Sequence, residues 1–292
     1  NALTGSKVAV ENFPYTTTES QIGVVQVPDP RLYKLSEMEK PQKTIPNTIE
    51  VTDIAGLAQG ASQGEGLGNK FLDSIRNVDA IIHIIRCFED DNVIHVHNTI
   101  NPKKDKEEVE IELQFKDYET IEKILLKAEK GARSGDKDAA KLAEIMTKLK
   151  THLEAGKFLK ELELPEDENR LIRGYNFLTL KKTLYLANIN EDASCEKYIN
   201  LLKDAIKGEN SEILILNVKL EAEIAEIENA EERADFLNMY ELTEPGVNKL
   251  IRSAYLLLDL VTYFTVGPKE VRAWPVARNT KAPQAAGVIH SD

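Results

Sequence analysis

The sequence predicts an α/β protein with a mostly parallel sheet, an inserted helical hairpin and the start of a small β-rich unit at the end of the chain. Three observations carry this. Short apolar runs alternate with stretches of helical periodicity, as in βαβ units. Residues 103–169 are rich in Glu, Lys, Leu and Ala and nearly free of Gly and Pro. From about Leu260 the chain turns β-branched and aromatic.

In chain order, residues 22–27 (Ile-Gly-Val-Val-Gln-Val) read as a strand closed by Pro28-Asp29-Pro30. Residues 31–40 place Leu32, Leu35 and Met38 at helical spacing. Residues 48–52 alternate as a half-buried strand does. Residues 80–87 form a nearly unbroken apolar run, as buried parallel strands do. Two further strands fall at 183–187 and 213–216. In the central stretch, Val109, Leu113, Phe115, Ile121, Ile124 and Leu125 precede a polar break at 131–136. Leu142, Ile145, Met146, Leu149 and Leu153 resume the pattern, so two amphipathic helices around a turn are expected. Its charge runs suit a solvated surface, and a projecting hairpin is also a natural arm for a partner. Residues 261–266 and 271–274 supply the last two strands.

A length of 292 residues exceeds one ordinary domain and implies two or three units. No apolar run approaches the ~20 residues of a membrane helix. No signal peptide is visible, although the chain opens at Asn1 without a methionine. Both ends are expected to be cut, because residues 1–4 read as a helix interior and residues 287–292 as a strand and turn. Cys87 and Cys195 are isolated, which fits reduced thiols in a cytoplasm. A net charge of −12 argues against general affinity for nucleic acid and leaves room for a local basic patch.

The strongest chemical signal is Asp53-Ile54-Ala55-Gly56, directly after the strand at 48–52. P-loop nucleotidases sense the γ-phosphate with an aspartate at a strand's carboxyl end and a nearby glycine. The carboxylate orders a Mg²⁺-bound water, and the glycine amide reaches a phosphate oxygen because no side chain intervenes. Many ordinary turns also contain Asp-x-x-Gly. Residues 60–70 follow, with Gly60, Gly64, Gly66 and Gly68 in a loop suited to reordering with nucleotide state, or to a plain surface loop. Upstream, Thr17 lies in Asn12-Phe13-Pro14-Tyr15-Thr16-Thr17-Thr18-Glu19. A threonine there can place its hydroxyl on Mg²⁺, or simply open the next strand.

These stretches, with Arg86-Cys87-Phe88-Glu89-Asp90-Asp91-Asn92, residues 175–181, Ala187-Asn188-Ile189-Asn190-Glu191-Asp192, residues 262–265 and Lys269-Glu270-Val271-Arg272-Ala273-Trp274, resemble the YchF subfamily of Obg-related P-loop proteins. The likeness runs along essentially the whole chain, in order and spacing. It implies a P-loop NTPase-type α/β domain at 1–102 and 170–258, a helical coiled-coil arm at 103–169, and the start of a TGS domain of β-grasp fold at 259–292. In the family the glycine–lysine P-loop ends just before the helix that opens here at Asn1. The chain as it stands is therefore expected to lack it and to hydrolyse nucleotide poorly.

The resemblance assigns Thr17 and Asp53 to Mg²⁺, and Gly56 to the γ-phosphate. Leu57 stands where Ras-like enzymes carry the water-orienting glutamine, and an alkyl group cannot position water. The family's proposed substitute is a histidine in a loop after the fourth strand, which falls on His95, with His97 as second choice. A solvated loop histidine is the plain alternative for both, and His83 reads as a core residue. GTP-specific relatives select guanine through Asn-Lys-x-Asp, where this chain reads Asn188-Ile189-Asn190-Glu191. Glutamate is a methylene longer, so its carboxylate cannot occupy the aspartate's place, and Ile189 replaces the lysine. The resemblance therefore implies ATP over GTP, with Asn188, Ile189, Glu191 and the backbone of Asn217 and Val218 around the base. A capped βα turn is the plain alternative. Further implied are a cytoplasmic location with no membrane attachment, and the ribosome (large subunit) or translation factors as partners. RNA is a further candidate through the arm or TGS unit. An Obg-type GTPase and a non-hydrolysing scaffold are the competing readings.

Overall fold

A computed structural model describes residues 3, 21–54, 67–209 and 211–289 of the 292. The first half runs β1 (Gln21–Gln26), α1 (Pro30–Glu39), β2 (Lys43–Ile45), β3 (Thr48–Asp53), α2 (Leu67–Arg76) and β4 (Ala80–Arg86). Two long helices follow, α3 (Pro102–Arg133) and α4 (Lys137–Glu154), then α5 (Glu166–Ile172). The chain returns through β5 (Lys182–Asn188), α6 (Cys195–Ala205), β6 (Ile213–Leu216), α7 (Val218–Glu226), α8 (Ala230–Met239) and α9 (Gly246–Leu257). It ends with β7 (Leu260–Val266), β8 (Glu270–Ala277) and α10 (Ala282–Ala286).

The architecture is the α/β class expected, a parallel sheet with an inserted helical hairpin, and the strands begin and end within two or three residues of the apolar runs. The central sheet is β4-β5-β6, parallel throughout, with Ala80 opposite Lys182 and Asn188 opposite Leu216. Strands β1 and β3 pair antiparallel, Val24 opposite Glu50. A third sheet, β2-β8-β7, joins the short β2 in parallel to β8 in the terminal unit. An apolar run reports burial and not direction, so the antiparallel pairing of β1 with β3 and the strand β2 were not legible in it. Helix α2 starts at Leu67, inside the stretch read as loop.

Local chemistry accounts for the element ends. Asp29 accepts from the Arg31 amide (3.0 Å) and Pro30 occupies the first turn, which starts α1 where the Pro-Asp-Pro signal stood. Asp136 caps α4 through the Asp138 and Ala139 amides. At the hairpin turn a Cβ on Gly131 would lie 2.8 Å from the Ala139 Cβ, and Gly135 holds φ +91°, so both positions require glycine.

The hairpin has its own core of Ile121, Ile145, Met146, Leu149 and Leu153, continued by Leu159, Ile172 and Phe177. Each such side chain contributes ~1.5–3 kcal/mol on burial. Surface ion pairs such as Lys150–Glu122 are solvent-screened and add little beside that. Packing therefore pairs the helices. Two polar anchors tie the hairpin to the sheet. Buried Asp117 accepts from the amides of Leu178 (2.9 Å) and Thr179 (2.7 Å) and from the Thr179 hydroxyl (2.7 Å). Near the root, Lys106 Nζ lies 2.7 Å from both Glu110 and Glu209, and the Tyr185 hydroxyl of β5 donates to the same carboxylates.

Candidate functional site

In open α/β sheets, ligands bind outside the carboxyl ends of the strands. Strand β3 ends at Asp53, β4 leads into the segment holding His95, β5 ends at Asn188, and β6 stops one residue before Asn217. Thr17 and Gly56 lie outside the described residues, as do Leu57 and the glycine-rich loop through Gly66.

Asn188 organises the β5–β6 end. Its Oδ1 accepts from the Val218 amide (3.2 Å), and its backbone carbonyl accepts from the Cys87 amide (2.8 Å). The Ile189 amide donates to the Leu216 carbonyl (3.0 Å). Asn188, Ile189, Asn217 and Val218 are thus held together. Among the described residues nothing accepts from the Asn188 amide nitrogen. The Asn217 side chain caps α7 by accepting from the Leu220 amide (3.1 Å), and its carbonyl accepts from the Glu221 amide (3.0 Å). Ile189 packs against the cluster of Cys87, Ala187 and Tyr198. Glu191 is exposed, in a turn shaped by Asn190 and Asp192, whose side chains accept from the amides two residues on (2.9 and 2.7 Å).

Asp53 sits opposite Gln21 and is exposed. Its neighbour Ile54 packs with Leu72, Ile75 and Ile81, which seats the end of β3 against α2 and β4. No hydrogen bond or ion pair from another described residue reaches the exposed Asp53 carboxylate.

His95 is folded back onto the first turns of α3. Its Nε2 lies 3.2 Å from Asp105 Oδ2, and its Nδ1 accepts from the His97 amide (3.3 Å). That acceptance assigns the proton to Nε2, directed at Asp105. His97 makes the parallel contact, Nε2 to Glu108 Oε2 at 2.7 Å. Burial holds the Asp105 carboxyl above the usual carboxylate range, against the opposing pull of His95. His83, read as a core residue, is half-buried on β4. It lies against the Tyr185 ring, and burial, helped by the Lys106 charge, lowers it to about 4, so it is neutral at physiological pH. Cys87 and Cys195 are both free and buried, and burial pushes the Cys87 thiol up to about 12.

Four supporting residues had no role in the sequence reading. Arg86, the last residue of β4, donates to the carbonyls of Phe88 (3.0 Å), Val93 (2.9 Å) and Asp90 (3.1 Å), pinning the segment that leads to His95. Glu89 joins that segment to the β5 turn: its carbonyl accepts from the Asn190 side chain (3.2 Å), and its carboxylate accepts from Lys197 (2.8 Å) and the Tyr198 hydroxyl. Asp105 and Glu108 hold the two histidines. Arg86 and Glu89 stood in a stretch singled out only for its resemblance. Asp105 and Glu108 are indistinguishable in sequence from the other acids of a charged helix.

Among the described residues, no group of three or more His, Cys, Asp and Glu forms a metal-ligand cluster, and no helix is long and apolar enough to cross a membrane. Mg²⁺ sites commonly use one or two protein oxygens with waters and substrate phosphates in place of such a cage, and the exposed Asp53 carboxylate is a donor of that kind.

Comparison with known proteins gives a consistent result. A family model described as a 50S ribosome-binding GTPase matches residues 1–130, and a carboxyl-terminal YchF GTPase model, described as a protein of unknown function, matches residues 260–292. The chain is 46% identical over 293 residues to the ribosome-binding ATPase YchF of Haemophilus ducreyi, covering 100% of this chain and 80% of that protein. It is 44% identical over 296 residues to the one from Bacillus subtilis, covering 100% and 81%. The solved structure of the Schizosaccharomyces pombe YchF GTPase superposes with a TM-score of 0.83 at 33% identity, covering 100% of this chain and 80% of that one. With that identity sustained along its full length, the chain belongs to the YchF family.

Proposed function

We propose that the protein is a Mg²⁺-dependent nucleotide hydrolase that prefers ATP to GTP and works as a conformational switch on the ribosome. The observation that supports this is the junction of Asn188 with the Asn217–Val218 turn at the carboxyl ends of the paired strands β5 and β6, in a chain whose relatives are named ribosome-binding ATPases. The domain division follows the same reading: a nucleotide-binding unit at 1–102 and 170–258, an arm at 103–169 and the start of a TGS unit at 259–292.

Asp53 and Thr17 supply oxygen donors that suit a hard cation, and Gly56 offers its amide to the γ-phosphate. Bound Mg²⁺ would neutralise charge on the phosphates. In this reading the Asn188 side-chain nitrogen donates to a purine N7, an acceptor on adenine and guanine alike. Discrimination then falls to Glu191 and the backbone at Asn217 and Val218. Without an aspartate set to accept from guanine N1 and N2, each unmade pair costs GTP ~1–3 kcal/mol. In this reading His95 orients the attacking water once it leaves Asp105.

The test is equilibrium binding of ATP and GTP, side by side with Mg²⁺, to the protein supplied with the family's glycine–lysine segment ahead of Asn1. ATP is expected to bind at least about tenfold tighter. Equal or tighter GTP binding would replace this reading with an Obg-type GTPase.

A further inference from the structure

His95 and His97 lie in a short segment that is fastened at both ends. Arg86 pins the carbonyls of Phe88, Asp90 and Val93 on one side. On the other, Ile100 packs against the cluster of Cys87 and Tyr198, and Asn101 caps α3 by accepting from the Lys104 amide (3.2 Å). Between these points Ile94, Val96 and Asn98 are exposed while the two histidines turn inward. Asn98 takes φ +54°, and its amide closes the turn by donating to the His95 carbonyl (3.0 Å).

The inward contacts go to two acids of α3, Asp105 for His95 Nε2 (3.2 Å) and Glu108 for His97 Nε2 (2.7 Å). The second contact also closes the first ring. With its side chain held by Glu108, His97 keeps its amide on His95 Nδ1 (3.3 Å). An Asp–His pair that serves catalysis leaves the far ring nitrogen free for the proton or water it handles. Here that nitrogen is occupied, so the pair restrains the imidazole.

Both acids keep compensation if the histidines leave. Asp105 stands in the first turn of α3, where the helix dipole favours an anion, and Glu108 lies 3.7 Å from Lys104. The helix end is itself fastened, because Lys106, between the two acids, lies 2.7 Å from both Glu110 and Glu209. Residues 94–99 are therefore the part that can turn. Turning them over would bring the histidines out and cover Ile94 and Val96, so the exposed apolar side chains favour the opening that the two acids oppose. We propose that Asp105 and Glu108 are positioning residues that latch His95 in a non-hydrolysing orientation, and that ATP hydrolysis waits on the release of both contacts. The inference deepens the proposed function and rests on its assignment of water orientation to His95.

The experiment is single-turnover ATP cleavage by the P-loop-bearing protein, as wild type, D105A/E108A and D105N/E108Q, each also carrying His95→Ala. Removing the two acceptors should raise the rate at least about threefold at unchanged ATP affinity, because a sparsely populated competent state gains in proportion to its population. The acceleration should vanish in the His95→Ala background, which a merely structural effect of the acids would not do. D105N/E108Q keeps side-chain volume and should move the rate the same way by less, with circular dichroism checking the fold. A rate that falls or stays level in both acid variants would overturn the proposal, and a fall would make Asp105 the orienting half of a catalytic dyad. Histidine-selective NMR on the chain as it stands gives a reading independent of turnover. The wild-type His95 ring should show one fixed Nε2–H tautomer and shift toward free imidazole in D105A/E108A. A wild-type ring already matching free imidazole would also sink the latch. A wild-type protein that binds no ATP overturns the nucleotide reading and the latch's role in hydrolysis with it, whereas active wild type with unaccelerated variants overturns the latch alone.

Discussion

His95 in this structure has both ring nitrogens engaged, one with Asp105 and one with the His97 amide. Its flanking residues Ile94 and Val96 are 52% and 50% exposed while the two histidines point inward, an inversion of the usual preference. For His95 to orient water, these contacts must open. Replacing it by alanine is expected to slow ATP turnover by about 10²–10³-fold in the P-loop-bearing protein, with ATP affinity little changed. Unaltered single-turnover rates would remove it from the chemistry. His83 gives a different kind of test. Its folded value, about 4, lies below the ordinary 6.5, so as pH falls through 6.5 the unfolded chain takes up a proton that the folded chain refuses. Stability is therefore lost between pH 6.5 and 4, on the order of 3 kcal/mol from this group. Asp105 and Asp117, raised by burial, act in the opposite sense, so the comparison must be internal. Urea unfolding at pH 7 and pH 5 should show a smaller loss in His83→Phe than in the wild type.

At the scale of elements, the hairpin was the most legible part of the chain. Its apolar residues keep helical period, and its turn carries two glycines whose need is steric. What the pattern did not show is how the hairpin is fastened. Asp117 falls within the same charged run as Lys116 and Glu119, yet it is fully buried and accepts three hydrogen bonds from the 178–179 turn. Asp117→Asn would turn an amide toward donors that need an acceptor. It should cost about 1–3 kcal/mol in urea unfolding, and a change within a few tenths would show that the anchor is dispensable. The strands divide similarly. Apolar runs located β1, β3, β4, β5 and β6, but the antiparallel register of β1 with β3 and the pairing of three-residue β2 with β8 come from long-range geometry.

For the whole molecule, the helical hairpin and the sheet meet at one polar cluster. Lys106, 5% exposed, is shared by Glu110 of the arm and Glu209 before β6, with Tyr185 of β5 bonded to both acids. Three residues along β5 lies Asn188, and just before α3 lies the His95 segment. The cluster therefore ties the root of α3 to the strand that ends at Asn188. Lys106→Ala would leave two carboxylates facing each other without a cation. A loss of about 3–5 kcal/mol is expected by urea unfolding, with hydrogen exchange accelerated at the root of α3 before its tip. A loss below 1 kcal/mol would mean that water replaces the cation.

The sequence by itself determined the α/β class, the inserted hairpin, the positions of the main strands and the residues that mark family membership, because periodicity, turn chemistry and motif spacing are local properties of a chain. It also singled out Asn188, Asn217 and Val218, which the structure brings together at one sheet end. Only the tertiary structure decided that His95 rests on Asp105, that Arg86 and Glu89 brace the loops, and that Lys106 and Asp117 are buried among so many exposed charges. Burial and pairing depend on which distant residues arrive alongside, and no spacing along the chain encodes that arrival.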